Sequence, residues 1–187
     1  YYGVFLAIRP NEENRVNTGR ETFILPVDWS DTFPVFKGGL EPIQPKLVMP
    51  QGVKNETGKN GYFPNGNFTF TETFTGSSLD YRWVGVRGAR EGFISTTTEG
   101  LTITPYETNI KAALPTSTLF YRQQHLNFTA TTTLKYIPRT EKDLAGITCY
   151  QSEKFNYVFG VTKKAEDSYI VLQRTEKGES STIASAK

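Results

Sequence analysis

A chain of 187 residues, 37% of them apolar and 21% charged, can hold one large all-β domain or one domain with part of another, and it is not disordered in composition. The net charge is +2, with 21 basic residues scattered among 19 acids, which excludes an electrostatic surface for nucleic acid. Each apolar run is shorter than the roughly 20 residues that a membrane span needs, so no membrane partner is expected.

Apolar residues recur at every second position along most of the chain, which is the periodicity of strands and not of helices. Turn-forming pairs such as Pro10-Asn11 and Glu99-Gly100 separate these segments. The predicted strands, in chain order, are Tyr1–Ile8, Glu21–Val27, Asn67–Phe74, Trp83–Arg87, Gly92–Thr97, Leu101–Thr104, Ser117–Tyr121, Thr129–Ile137, Ala145–Gln151, Tyr157–Thr162, Tyr169–Arg174 and Thr182–Ala186. The sequence therefore predicts an all-β protein.

The first predicted strand, Tyr1–Ile8, is apolar on both of its faces. A strand of this kind needs cover on both sides, and few residues precede it to provide that cover. At the other end, Ser181–Ala186 still has strand character where the chain stops. We therefore expect the chain to be cut from a longer protein.

A stretch rich in turn-forming residues separates a short first portion, residues 1–37, from a larger body, residues 67–187. From Gly38 to Asn67 it holds four of the ten prolines and six of the 16 glycines, and it shows little alternation. We interpret residues 38–66 as a connector that runs over a surface. The body beyond it has short, evenly spaced strands, which is typical of a sandwich or jelly roll.

Few residues suggest a catalytic centre. Hydrolysis of a glycosidic bond needs two facing carboxyl groups, and spacing singles out no such pair among the 19 acids. Asp28 and Asp31, on either side of Trp29, are typical of a turn at the end of a strand. His125 is the only histidine and no nucleophile motif accompanies it, so a structural role is favoured.

The chain has one cysteine, Cys149, within an apolar strand pattern, where a buried structural thiol is expected. One histidine and one cysteine cannot supply the ligands of a zinc site. The sequence also lacks a D-x-D-x-D calcium loop and the glycine-rich motifs that bind nucleotides. We expect no metal and no cofactor.

Arg20, next to Glu21 in the string NTGRETF, is the one candidate binding residue. Its guanidinium stays charged and presents a planar set of N–H donors. Such a group can hold a pair of sugar hydroxyls and lower the pKa of a nearby carboxylate. The alternative is a salt bridge with a neighbouring side chain, and spacing alone favours that alternative.

Two blocks of the sequence resemble glycoside hydrolase family 43 β-xylosidases. The first is YYGVFLAIRP followed by GRETFILPVDWSDTFPVF, which is similar to the end of their catalytic domain. The second consists of FTGSSLDYRWVGVRGAREGF, STLFYRQQHLNFTATTTLKYIP and AGITCYQSEKFNYVFGVT, which resemble the concanavalin A-like β-sandwich attached to those enzymes. Together the two blocks cover most of the chain and leave only the connector unplaced.

The resemblance implies that residues 1–37 are the last portion of a five-bladed β-propeller and that residues 67–187 form the sandwich, incomplete at its C-terminus. The three catalytic carboxylates of the family would precede Tyr1, so no residue here is catalytic. Arg20 matches an arginine that contacts the sugar in such enzymes and is thus expected to bind substrate. Glu21 is expected to be a structural partner or a group that supports the substrate-binding residues without touching the sugar.

The implied activity is inverting release of xylose or arabinofuranose from xylan-derived or arabinoxylan-derived oligosaccharides. The rest of the propeller is the expected partner within the protein, and a periplasmic or secreted location is favoured because xylan degraders are often exported.

Two alternatives to an enzyme part stay open. The sandwich could be a carbohydrate-binding module or lectin-like domain, with Trp83, Tyr106 and Tyr121 as the aromatic candidates for stacking on sugars. It could instead only support the enzyme and an interface in a homo-oligomer.

Overall fold

The computed structural model describes residues 1–37, 41–44, 47–48, 51–52, 66–88 and 92–187. Every regular element in these ranges is a β-strand, which confirms the all-β prediction. Among them there is no helix of the length and apolarity that a membrane crossing requires. The chain divides into two compact units, one formed by Tyr1–Thr71 with Gln123–Phe128 and the other by Glu72–Arg122 with Thr129–Lys187.

The first unit contains a three-stranded antiparallel sheet. Strands β1 (Tyr2–Ile8), β2 (Arg20–Asp28) and β3 (Val35–Phe36) lie side by side in chain order. The hairpin of β1 and β2 places Ile8 opposite Arg20 and Tyr2 opposite Pro26. This register decides which side chains share a face of the sheet.

One face of this hairpin is packed. The rings of Phe5 and Phe23, opposite each other in the register, lie 6.3 Å apart, and the edge of Phe36 meets Phe5 at 5.3 Å. The Phe36 ring occupies the space that a side chain at position 3 would need, and Gly3 leaves that space free. Aromatic pairs of this kind stabilise a sheet beyond the area that they bury.

The opposite face, called here the outer face, is exposed and largely apolar. It carries alternate side chains of both strands, with exposed fractions from 44% at Tyr2 to 67% at Val4. Its members are Tyr2, Val4, Leu6 and Ile8 on β1 and Arg20, Thr22 and Ile24 on β2.

The second unit contains two short strand pairs and one larger sheet. Strand β4 (Trp83–Val84) pairs with β7 (Phe120–Tyr121), and β5 (Ile94–Thr97) pairs with β6 (Gly100–Ile103). The larger sheet is an antiparallel meander in the order β11-β10-β9-β8. Its strands are β8 (Leu144–Ser152), β9 (Phe155–Lys164), β10 (Asp167–Glu176) and β11 (Glu179–Ala186).

The meander buries one face more than the other. Asn156, Val171 and Thr175 are buried on one side, with 4–5% of their surface exposed. Tyr157 and Phe159 point to the other side and are about half exposed. Cys149 lies opposite Tyr157 and shares that exposed side, so the prediction of a buried thiol is wrong.

Two predicted strands and part of the predicted connector differ from the structure. Asn67–Phe74 and Thr129–Ile137 alternate in sequence but are not strands, while the short strand Val35–Phe36 was not predicted. Alternation indicates which side of a segment is apolar, but a strand also needs a neighbour for its main-chain hydrogen bonds. The predicted connector, residues 38–66, lies mostly outside the described residues.

Candidate functional site

The site begins at the loop end of the β1–β2 hairpin, where Arg9 and Glu21 form a two-point ion pair. Arg9 donates from Nε to Glu21 Oε2 at 3.0 Å and from Nη2 to Glu21 Oε1 at 2.9 Å. The hydroxyl of Thr18 donates to the same Oε2 at 3.3 Å. The bond to Glu21 raises the pKa of Arg9 still further, so its guanidinium stays charged.

The hairpin register explains why these two side chains meet. Ala7 lies opposite Glu21, and Arg9 follows Ala7 by two residues, which makes Arg9 a diagonal neighbour of Glu21 on the same face. The loop between the strands is fixed by Asn11, whose Oδ1 accepts the main-chain N–H groups of Glu13 and Arg15 at 3.0 and 2.8 Å.

A segment from much later in the chain completes the arrangement. Arg9 Nη2 also donates to the main-chain carbonyl of Gln124 at 3.1 Å, across 115 positions of sequence. Gln124 belongs to the stretch Gln123–Phe128 of the first unit. We call Arg9, Thr18, Glu21 and the Gln124 carbonyl the Arg9–Glu21 cluster.

Arg20 lies beside this cluster but points the other way. Consecutive side chains of a strand project to opposite faces, so Glu21 joins the cluster while Arg20 is exposed on the outer face, opposite Ile8. Gly19, with φ of +74°, takes the left-handed conformation that turns the chain into β2 at this point.

The salt bridge that spacing favoured for Arg20 is not formed. Within the described ranges the Arg20 side chain makes no hydrogen bond or ion pair, and its neighbour Glu21 is engaged by Arg9. Its guanidinium is therefore available to a carboxylate or to a pair of hydroxyl groups.

Asp28 and Asp31 have the turn role predicted for them. Oδ1 of Asp28 accepts the N–H of Ser30 at 2.9 Å, and Oδ1 of Asp31 accepts the N–H of Thr32 at 2.7 Å. The hydrogen bonds from Ser30 lower the pKa of Asp28, which keeps this carboxyl charged and unsuited to donate a proton.

These two acids line a shallow open depression of about 330 Å³, together with the exposed ring of Phe33 and other side chains of the turn.

His125 also has the structural position that the sequence suggested. Its Nε2 donates to the carbonyl of Gly66 at 2.7 Å, and its ring meets the edge of Phe68 at 5.2 Å. Across the described residues, no group of three His, Cys, Asp or Glu side chains is placed to hold a metal ion.

The aromatic candidates for sugar stacking separate into two kinds. Trp83 packs against Tyr121 at 5.4 Å and Phe74 at 5.0 Å, and its indole N–H donates to Glu72, so it is a packing residue. Tyr106 is 64% exposed, and Tyr81, which the sequence did not suggest, is 76% exposed.

Sequence reasoning missed Arg9 and Gln124. The period-two pattern would have placed Arg9 with Glu21 if the hairpin register had been known. No local pattern could have brought in Gln124, because the contact joins positions 115 residues apart.

Known proteins are similar to this chain along nearly its whole length. Residues 71–187 match the family model of the beta xylosidase C-terminal concanavalin A-like domain. The chain is 28% identical over 190 residues to a xylosidase/arabinosidase of Butyrivibrio fibrisolvens, with 98% of this chain covered. It is 27% identical over 186 residues to the non-reducing end alpha-L-arabinofuranosidase BoGH43B of Bacteroides ovatus, with 95% covered. The chain spans only 35% and 32% of the length of these two relatives.

Solved structures have the same fold. A GH43_12 retrieved from capybara gut metagenome shares 49% identity with a TM-score of 0.87, over 99% of this chain and 36% of that one. BlXynB of Bacillus licheniformis, at 22% identity and a TM-score of 0.74, shares the fold over 99% of this chain and 35% of that one. The predicted concanavalin A-like β-sandwich and the predicted kinship with family 43 are confirmed. The chain belongs to the family of the beta xylosidase C-terminal concanavalin A-like domain, GH43_C2.

Proposed function

We propose that this chain is the C-terminal part of a glycosidase that removes xylose or arabinofuranose units from the ends of xylan-derived oligosaccharides. The observation that carries the proposal is the similarity to a xylosidase/arabinosidase, which runs through 98% of the chain and so includes the hairpin as well as the sandwich. The arabinofuranosidase similarity covers nearly the same length.

In this proposal residues 1–37 end a catalytic β-propeller, residues 38–66 connect it to the sandwich, and residues 67–187 form the sandwich. The exposed outer face of β1 and β2 supports this division, because a largely apolar sheet face needs another layer to cover it. The preceding part of the propeller would supply that layer. The sandwich would support the catalytic domain.

The catalytic carboxyl groups would come from the preceding part of the protein. Bond cleavage requires one protonated and one charged carboxyl group on either side of the glycosidic oxygen. Asp28 and Asp31 both accept hydrogen bonds within their own turn and do not form such a couple. We therefore expect the 187-residue chain alone to be inactive.

Arg20 would bind the substrate. Its exposed guanidinium lies at the end of the outer face and is engaged by no side chain of the described ranges. A planar set of donors suits adjacent hydroxyl groups of a sugar, and its positive charge would hold a neighbouring carboxylate in the ionised state.

Arg20→Ala in the full-length enzyme, assayed with aryl xyloside and aryl arabinofuranoside, tests this binding role. Loss of a charge-assisted hydrogen bond should raise KM by about tenfold or more. Arg15→Ala is the matched control, because Arg15 lies in the loop just before β2 and pairs with Glu13 in an exposed ion pair. An unchanged KM for Arg20→Ala would contradict the binding role. Turnover by the 187-residue chain would contradict the proposal that the catalytic carboxyl groups come from the preceding part of the protein.

A further inference from the structure

We propose that Arg9 and Glu21 are positioning residues for Arg20, and that the segment Gln123–Phe128 is part of the same device. The inference rests on the proposed substrate-binding role of Arg20 and adds to it the groups that set its direction. Neither Arg9 nor Glu21 needs to touch the substrate.

Glu21 is held in one orientation. Both of its carboxylate oxygens are bound by Arg9, at 2.9 and 3.0 Å, and Thr18 adds a third bond. A two-point pair between guanidinium and carboxylate fixes orientation as well as distance. The Glu21 side chain is only 28% exposed, whereas the side chains of the nearby Arg15–Glu13 pair are 74% and 65% exposed.

Glu21 is linked to Arg20 through the main chain. The two residues are consecutive on β2 and their side chains leave opposite faces of the sheet. Fixing Glu21 therefore fixes the direction in which Arg20 leaves the outer face. Ile8 lies opposite Arg20 in the register, so the end of β1 lies beside the start of β2 at this point.

The segment Gln123–Phe128 is connected to the same ion pair. The Gln124 carbonyl accepts from Nη2 of Arg9, the nitrogen that also binds Glu21. The segment is itself held by its own contacts: Gln123 Nε2 donates to the carbonyl of His125 at 2.6 Å, and the His125 ring binds the Gly66 carbonyl. A segment 115 residues away from Arg9 in sequence thereby helps to fix the direction of the Arg20 side chain.

The device would act on binding because arginine side chains are long and flexible. A guanidinium whose main-chain attachment is already fixed loses less conformational entropy when it binds a ligand. Weakening the Arg9–Glu21 cluster should therefore reduce affinity for the sugar without changing the chemical step.

The test is a double-mutant cycle in the full-length enzyme with Glu21→Gln, Arg20→Ala and the combined variant. Glu21→Gln keeps the shape of the side chain and weakens the charge-assisted bonds, and it should raise KM by about tenfold while kcat changes by less than about twofold. In the Arg20→Ala background the same change should have no further effect on KM, because Glu21 acts only through Arg20.

Thermal melting of each variant accompanies the kinetics, with Glu13→Gln as the control for loss of a paired glutamate, here in the loop that precedes β2. If Glu21→Gln does not fold, Arg9→Lys takes its place, since it keeps the charge and loses the two-point geometry.

Equal effects of Glu21→Gln with and without Arg20 would overturn the proposal, because they would show a general structural role. An unchanged KM in Glu21→Gln would also overturn it. The two failures are separable: if Arg20→Ala alone leaves KM unchanged, the binding role of Arg20 has failed, and the positioning role fails with it.

Discussion

At the scale of single residues, several acids of the described ranges accept hydrogen bonds from groups of their own turns. Asp143, just before β8, shows this most clearly. Its Oδ2 accepts the main-chain N–H of Arg139 at 2.7 Å, and its Oδ1 accepts the hydroxyl of Thr140 at 2.8 Å. The bond from Arg139, followed by that from Thr140, lowers the pKa of Asp143 below its usual value.

This lowered pKa predicts how stability depends on pH. The folded chain releases the Asp143 proton at a lower pH than the unfolded chain does, so the stabilisation is complete above about pH 4 and disappears as the pH falls through the folded-state pKa. At pH 7, Asp143→Asn should unfold at a lower urea concentration than the parent chain. The gap between the two urea midpoints should narrow at about pH 3.

The control for Asp143→Asn is Glu166→Gln, at a carboxylate that is 96% exposed, whose midpoint should hardly move. A gap of the same size at both pH values would show that the hydrogen-bonded charge of Asp143 is not what stabilises the turn.

At the scale of elements, the strands that the sequence predicted well are those of the β1–β2 hairpin and of the meander. In these segments the alternating side chains and the flanking turns both predict a strand, as for Glu21–Val27 within β2 and Tyr157–Thr162 within β9. Asn67–Phe74 alternates just as clearly but is not a strand. Alternation does not indicate which strand is the partner, and a segment forms a strand only when a partner is present for its main-chain hydrogen bonds.

The meander has one position where two strands approach too closely for any side chain. Gly146 on β8 lies opposite Gly160 on β9, and a Cβ added at Gly146 would overlap the carbonyl of Phe159. Main-chain atoms of two paired strands cannot move aside as a flexible side chain would, so Gly146→Ala should lower the free energy of unfolding by about 2 kcal/mol or more. Urea unfolding of the chain measures this.

Gly76→Ala is the matched control for Gly146→Ala, since the nearest atom to its added Cβ is the Ser78 carbonyl oxygen at 3.5 Å, an ordinary contact. Equal stability of the two variants would mean that β8 and β9 can separate without cost.

At the scale of the whole molecule, the outer face of the first unit is the feature that an isolated chain leaves uncovered. Side chains such as Val4 and Leu6, 67% and 59% exposed, form an apolar surface of the kind that soluble proteins usually cover. The sequence predicted the need for this cover from the apolar pattern of Tyr1–Ile8. It could not predict that Arg20 lies on the same face, because that requires the register.

Leu6→Lys tests whether the outer face is covered in the proposed full-length enzyme. In the 187-residue chain the lysine stays in water, so the melting temperature should be unchanged and self-association reduced. In the longer protein the same lysine would be buried without a partner, which should cost about 3 kcal/mol.

Thr98→Lys, at an exposed turn, is the control for Leu6→Lys and should be neutral in both proteins. If Leu6→Lys is equally harmless in the full-length enzyme, the face is open there too, and the assignment of residues 1–37 to a covered propeller blade fails.

The bond between Arg9 and the Gln124 carbonyl has a consequence for the order of folding. The strands β8 to β11 are joined by loops of only two residues, Glu153–Lys154, Ala165–Glu166 and Lys177–Gly178, so their pairing closes short loops and forms readily. The Arg9–Gln124 bond instead closes a loop of 115 residues. During synthesis Arg9 emerges long before Gln124 exists. The guanidinium of Arg20 would thus reach its final setting late in the maturation of the polypeptide, after the ribosome has completed more than half of this chain.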